Sequence, residues 1–182
     1  MQRAGTAAGE LAYELLQSSE KEKRVLVLAG PGNNGGDALE AASQLMNAGL
    51  KVCITLPYAS DHLTADAQQA LQNAKASRAT FIASNDASIS NTDWALVIDG
   101  LFGIGLNSAI TGPAYELIAA VNQLSCPILA LDVPSGLNAD TGAIVGGAEG
   151  IAIQATHTIT YIADKAGSVS YTHLRAHETS LH

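Results

Sequence analysis

Positive charge is scarce in this chain. Nine Lys and Arg stand against 17 Asp and Glu in 182 residues, a formal net charge of −8. That balance disfavours a surface that binds nucleic acid or anionic membrane nonspecifically. The single basic cluster, Lys21, Lys23 and Arg24, reads as a solvated turn ahead of a strand. Long apolar runs are missing too. Nothing approaches the roughly 18 residues of a membrane span, and residues 1–10 lack the basic-then-apolar layout of a secretory signal. Cys53 and Cys126 are the only two cysteines. Each lies in or beside a strand-like apolar run, so they read as buried thiols, and the cytoplasm is the expected compartment. Internal repeats and low-complexity tracts are absent.

What the chain does have is apolar residues, 47% against 14% charged. That content and length suit one domain with its own core. Helical spacing runs over residues 3–18 through Ala4, Ala7, Ala8, Leu11, Leu15 and Leu16. Strand-like runs follow at 25–29, 51–56, 79–83 (short), 94–99, 127–131 and 156–163. Between them fall a helix through Leu39, Ala42, Leu45 and Met46, closed at Gly49, one over 64–75, and one begun by Pro113. Residues 84–93 read as polar and turn-rich. Strands alternating with helices, several apolar on both faces, predict an α/β fold with a mostly parallel, doubly wound sheet. Residues 168–182 show no periodicity and hold three of the five histidines. They read as a tail foreign to the fold, disordered or arising from sequence assembly.

In such a sheet, ligands bind beyond the carboxyl ends of the strands, where strand order reverses. Three motifs each follow a strand: Gly30-Pro-Gly-Asn-Asn-Gly-Gly-Asp37, Asp99-Gly-Leu-Phe-Gly-Ile-Gly-Leu106 and Asp132-Val-Pro-Ser-Gly136. The first joins a strand to a helix start, whose unpaired N–H groups suit an anion. Its Gly-x-Gly-x-x-Gly spacing fits a dinucleotide fingerprint, a weak signal alone. The second strand ends Thr55-Leu56-Pro57, without the acid that would hold a ribose. A conventional NAD(P)-linked oxidoreductase is thereby disfavoured.

Together the three motifs resemble the YjeF N-terminal domain family, over residues 1–167. The resemblance implies a three-layer αβα Rossmann-like fold, often dimeric. It implies NAD(P)H-hydrate epimerase activity, interconverting the R and S hydrates of NADH and NADPH (NADHX and NADPHX) upstream of a dehydratase. By motif match, substrate binding carries over to Asn33, Asn34, Gly35, Gly36 and Asp37, to Gly103, Ile104, Gly105, Leu106, Asn107, Ser108 and Ala109, and to Asp132. Potassium ligation carries over to Asn34, Asp99 and Ser135, all hard oxygen donors that suit an alkali cation.

The hydrate's chemistry asks for an acid that protonates the ring hydroxyl and then accepts a proton from returning water. Asp132 is read in that role with Lys165 assisting, and Asp37 as helix-start and loop-ordering chemistry. Ala38 stands where the family has a glycine, which is acceptable if the position is helical. Residues 107–109 offer no cation for a pyrophosphate. The match opens inside the family's N-terminal region and stops before its closing segment, as expected of a piece of a longer, bifunctional protein. A non-catalytic YjeF-type scaffold is the alternative. It is expected to have lost polar loop residues, whereas Asn34, Asp99, Asp132 and Ser135 are all present.

Overall fold

The computed structural model describes residues 2–161 and 169–172. Its centre is a seven-stranded sheet in the order β3-β2-β1-β4-β5-β6-β7. The strands are β1 (Arg24–Ala29), β2 (Lys51–Thr55), β3 (Thr80–Phe81), β4 (Leu96–Gly100), β5 (Ile128–Leu131), β6 (His157–Tyr161) and β7 (Val169–Thr172). The first six are parallel. Strand β7 runs antiparallel along β6.

Alternation along β1 sorts the two layers. Val25, Val27 and Ala29 pack under α1 (Gln2–Gln17), α2 (Asn33–Asn47) and α3 (Ala65–Ala76). Leu26 and Leu28 face the opposite layer, with α4 (Ser88–Asn91) and α5 (Gly112–Val121). Burial on both faces explains why these strands read as continuous apolar runs. The helices begin and end where their residues dictate. Thr64 caps α3 by accepting from the Ala67 N–H, and Pro113 sits in the first turn of α5. Gly49, just past α2, adopts φ 86° while its N–H donates to the Met46 carbonyl.

Two expectations differ from the structure. Residues 84–93 contain α4, one short turn of helix that buries Ile89 beside Trp94, whose indole N–H donates to the Ile89 carbonyl at 2.8 Å. Of the stretch 168–182, read as lying outside the fold, residues 169–172 form β7, and the others lie outside the described residues. Three of the four residues of β7, Val169, Tyr171 and Thr172, are β-branched or aromatic, which suits a strand, but four residues are too few to register as periodicity.

Beyond β1 the chain passes into α2 on one layer. Beyond β4 it crosses to the other layer, so strand order reverses between β1 and β4. The three loops beyond β1, β4 and β5 therefore meet at one edge.

Candidate active site

Close backbone packing sets the floor of the site. A Cβ on Gly30 would stand 1.8 Å from the Leu101 carbonyl oxygen, and one on Gly35 1.8 Å from the Gly30 oxygen. Only glycine lets the turn after β1 lie against the loop after β4. Helix α2 then starts at Asn33 behind Gly32, with no side-chain cap and no acid in its first turn. Its leading N–H groups have no intrahelical partner and point their partial positive charge into the cleft. Such a helix start can receive an anionic group without a basic residue at 107–109. Ala38 is helical and buried, and its methyl occupies the space left by Gly100, so alanine is accommodated there.

Beneath the cleft a chain of hydrogen bonds ties the three loops together. Asp99, at the end of β4, and Ser135 are both fully buried. The Ser135 Oγ donates to Asp99 Oδ1 at 2.5 Å, and the Ser135 N–H donates to Asp99 Oδ2 at 2.8 Å. The Leu101 N–H adds a third bond to Oδ1 at 3.2 Å. Ser135 Oγ in turn accepts from the Phe102 N–H at 2.9 Å, and Asn34 Nδ2 donates to the Phe102 carbonyl at 3.0 Å. The Phe102 ring meets Tyr58 edge-on at 5.7 Å, which steadies that carbonyl. Burial lifts the Asp99 carboxyl to about 6, against the opposing pull of its bonds to Ser135 and Leu101.

Asp99, Ser135 and the Phe102 carbonyl thus gather carboxylate, hydroxyl and carbonyl oxygens at one place, with the Asn34 amide bonded to that carbonyl through its nitrogen. Among the described residues no Lys or Arg forms an ion pair with Asp99. No group of three His, Cys, Asp or Glu forms a metal cluster there either. A neutral oxygen set around one desolvated carboxylate fits a monovalent hard cation and does not suit zinc or copper.

Above this floor opens a cleft of about 930 Å³, a volume suited to a cofactor-sized ligand. Asn33, Asn34, Asp37, Gly103, Ile104, Gly105, Leu106, Asn107 and Asp132 line it, as the three motifs led one to expect. Gly35 and Gly36 are buried inside α2, where their backbone shapes the turn. Ser108 and Ala109 do not line the cleft, and Ala109 instead packs against Gly146. Asp99 and Ser135 lie under the floor. Lys165 lies outside the described residues. Ala4, Pro31, Gly32, Asp66, Leu101 and Phe102 complete the wall. Leu101 and Phe102 fall inside the second motif and were legible as neighbours. Ala4 and Asp66 arrive from α1 and α3, and nothing local in the sequence marks them.

Asp132 is half-buried and takes φ 71° at the end of β5, a left-handed conformation that is costly for a residue with a Cβ. Its N–H donates to the Ile159 carbonyl at 2.7 Å, and its own carbonyl accepts from Thr160 Oγ1 at 3.3 Å, so β6 holds the strained residue in place. A Cβ on Gly103 would come within 3.2 Å of Asp132 Oδ2, so the bare glycine leaves that carboxylate room. Asp37 departs from its expected role. It is the fifth residue of α2, beyond the first turn, and 8% exposed. Its Oδ1 has no hydrogen-bond partner among the described residues, so this oxygen orders no loop. Burial, aided by the charges of Asp132 and Glu40, pushes its carboxyl up to about 6. At the end of β2, where a dinucleotide oxidoreductase would place its ribose acid, stands buried Thr55.

The family model described as "YjeF-related protein N-terminus" matches residues 1–167. A Bordetella pertussis protein named NAD(P)H-hydrate epimerase is 43% identical over 162 residues, spanning 89% of this chain and 68% of that protein. A Limosilactobacillus fermentum protein of the same name is 35% identical, over 93% of this chain and 77% of its own length. A Coxiella burnetii protein named bifunctional NAD(P)H-hydrate repair enzyme Nnr is 37% identical, over 88% of this chain but 32% of its own length. Among solved structures, the yeast protein YNL200c superposes with a TM-score of 0.73 at 21% identity, over 86% of this chain and 67% of that one. At that identity the likeness speaks for the fold.

Proposed function

This chain belongs to the YjeF-related N-terminal family, and from that premise we propose the reaction its cleft performs. It is an NAD(P)H-hydrate epimerase, an isomerase that interconverts the R and S hydrates of reduced nicotinamide cofactors. One observation carries the chemical reading. The loops after β1, β4 and β5 are bonded into a single unit that sets Asp132 beside the bare N-terminus of α2.

The substrate's pyrophosphate takes the N–H groups at the start of α2. Its hydrated ring carries a hydroxyl on the carbon beside the ring nitrogen. Asp132, held rigidly by β6, protonates that hydroxyl as it leaves as water, while the nitrogen lone pair closes a planar iminium. The carboxylates of Asp132 and Asp37 stabilise the cation electrostatically. Re-addition of water on the other face gives the epimer, and Lys165 is assigned an assisting role from its motif position.

Asn34, Asp99, Ser135 and the Phe102 carbonyl would hold a potassium ion. When bound, the ion supplies the positive charge that lets Asp99 remain ionised without solvent. We place this chemistry in the cytoplasm, in a domain expected to dimerise and to feed a dehydratase. The bifunctional relatives support the dehydratase as a fused or separate partner.

The test is to give R-hydrate to a dehydratase specific for the S form, with and without this protein. Faster recovery of reduced cofactor, further accelerated by potassium over sodium, is the expected result. Recovery no faster than spontaneous epimerisation would overturn the assignment.

A further inference from the structure

Epimerisation sets a requirement that one carboxylate does not meet. A single acid/base that expels water from one face of a planar cation is placed to return water to that same face. Inversion needs a proton acceptor on the other face as well. Besides Asp132 two carboxylates line the cleft: Asp66, exposed in the first turn of α3, and Asp37, which is buried and has an oxygen with no partner among the described residues.

We propose that Asp37 is the second proton-transfer group of the epimerase, serving the ring face opposite Asp132. This rests on the epimerase reading above. Asp37 stands on α2, reached from β1, and Asp132 stands at the end of β5, with β4 between these two strands. The two residues therefore approach the cleft from opposite sides of the β4 loop, and both line it. Asp37 Oδ1 is buried and makes no hydrogen bond among the described residues. A buried carboxylate oxygen without a partner is costly unless a ligand supplies the missing donor, and a water molecule or ring hydroxyl in the cleft is such a donor. A purely structural acid at a helix start would sit in the first turn and accept from its N–H groups, and Asp37 sits beyond that turn. Its carboxyl, raised to about 6 by burial and by the facing charges of Asp132 and Glu40, exchanges a proton readily near neutral pH.

The steps balance. Asp132 as the acid gives its proton to the hydroxyl, the carbon–oxygen bond breaks with its electron pair leaving on water, and the nitrogen lone pair forms the carbon–nitrogen double bond. A water on the other face then forms a new carbon–oxygen bond, the nitrogen recovers its lone pair, and Asp37 takes the water's proton. The enzyme ends with the proton on Asp37 rather than Asp132, ready for the reverse epimer. Proton exchange with solvent resets it.

The experiment separates exchange from inversion. Each pure epimer is incubated in isotopically labelled water, and label uptake and epimer ratio are followed together above the spontaneous rates. Wild-type protein is expected to take up label as it inverts. In Asp37→Asn, inversion falls ~100-fold or more, while label still enters one epimer, because Asp132 continues to remove and return water on its own face. In Asp132→Asn the surviving exchange belongs to the other epimer, which also shows that both variants remain folded and able to bind. Loss of exchange in both epimers of Asp37→Asn, or inversion at the wild-type rate, overturns the proposal and leaves the epimerase reading standing. Wild-type inversion without label uptake would overturn water loss itself, and absence of wild-type inversion would overturn the epimerase reading.

Discussion

Replacing Ser135 by alanine removes the hydroxyl at the junction of all three loops. Its donation to Asp99 Oδ1 and its acceptance from the Phe102 N–H at 2.9 Å go with it, as does a longer contact to the Phe102 carbonyl at 3.4 Å. A hydrogen bond to a charged group contributes about 1.5–3 kcal/mol, and leaving a buried donor unsatisfied costs about 1–3 kcal/mol. Asp99 and Ser135 are each 0% exposed, so bulk water does not replace the lost partner. The expected loss is therefore roughly 3–5 kcal/mol. In a chain of 182 residues, at about 2–4 °C per kcal/mol, that lowers Tm by roughly 6–20 °C. Ser43→Ala supplies the control. That serine is also buried, but its Oγ donates at 3.2 Å to the Leu39 carbonyl of its own helix, an acceptor the helical ladder already uses. Its loss is expected below ~1 kcal/mol. Urea and thermal denaturation of both variants, run above the Asp99 value of about 6, read the difference. If Ser135→Ala costs no more than Ser43→Ala, the hydroxyl does not hold the loops together and the assigned network is wrong.

Three other perturbations bear on the same site. Gly103→Ala places a methyl about 3.2 Å from Asp132 Oδ2 and displaces the carboxylate. We expect epimerase kcat/KM to drop ~10-fold or more with Tm nearly unchanged, and equal activity would show that the Asp132 position is not critical. Asp132→Gly relieves the strain at φ 71°. It should raise unfolding free energy by ~0.5–1 kcal/mol in denaturant titrations while abolishing turnover. For pH, the Asp37 and Asp99 carboxyls rise from 3.8 to about 6 on folding, so the folded state holds their protons more tightly than the unfolded chain. Their contribution to stability is complete below pH 3.8 and is lost as pH rises towards about 6. Urea midpoints across that window should fall, and Asp37→Asn should flatten the slope.

The sheet was legible because β1, β4 and β5 bury both faces, leaving apolar runs with turn residues on either side. The strand expected over 94–99 begins only at Leu96, because apolarity alone does not distinguish a strand residue from Trp94, packed just ahead of it on Ile89. The convergence of the three loops followed from parallel topology, and the polar residues within them could be named. Their division of labour could not. Asp37 looks like an ordinary helix-start acid in one dimension, and only burial and the missing partner of its Oδ1 set it apart. The part played by the Phe102 carbonyl, which accepts from Asn34, was likewise hidden, because every residue has a backbone oxygen and only the fold selects which one is used.

The left-handed backbone at Asp132 also biases the course of descent in this fold. Few residue types tolerate that conformation, chiefly glycine, asparagine and aspartate. Of these, only aspartate carries a proton. A copy released from selection for turnover meets no stability barrier on losing its acid at this position, because glycine is the more comfortable occupant. Loss of activity is then energetically downhill while the sheet and the bonded loops persist, giving a folded domain available for binding. In this architecture an aspartate at the end of β5 is a residue that selection must keep renewing against the preference of its own backbone.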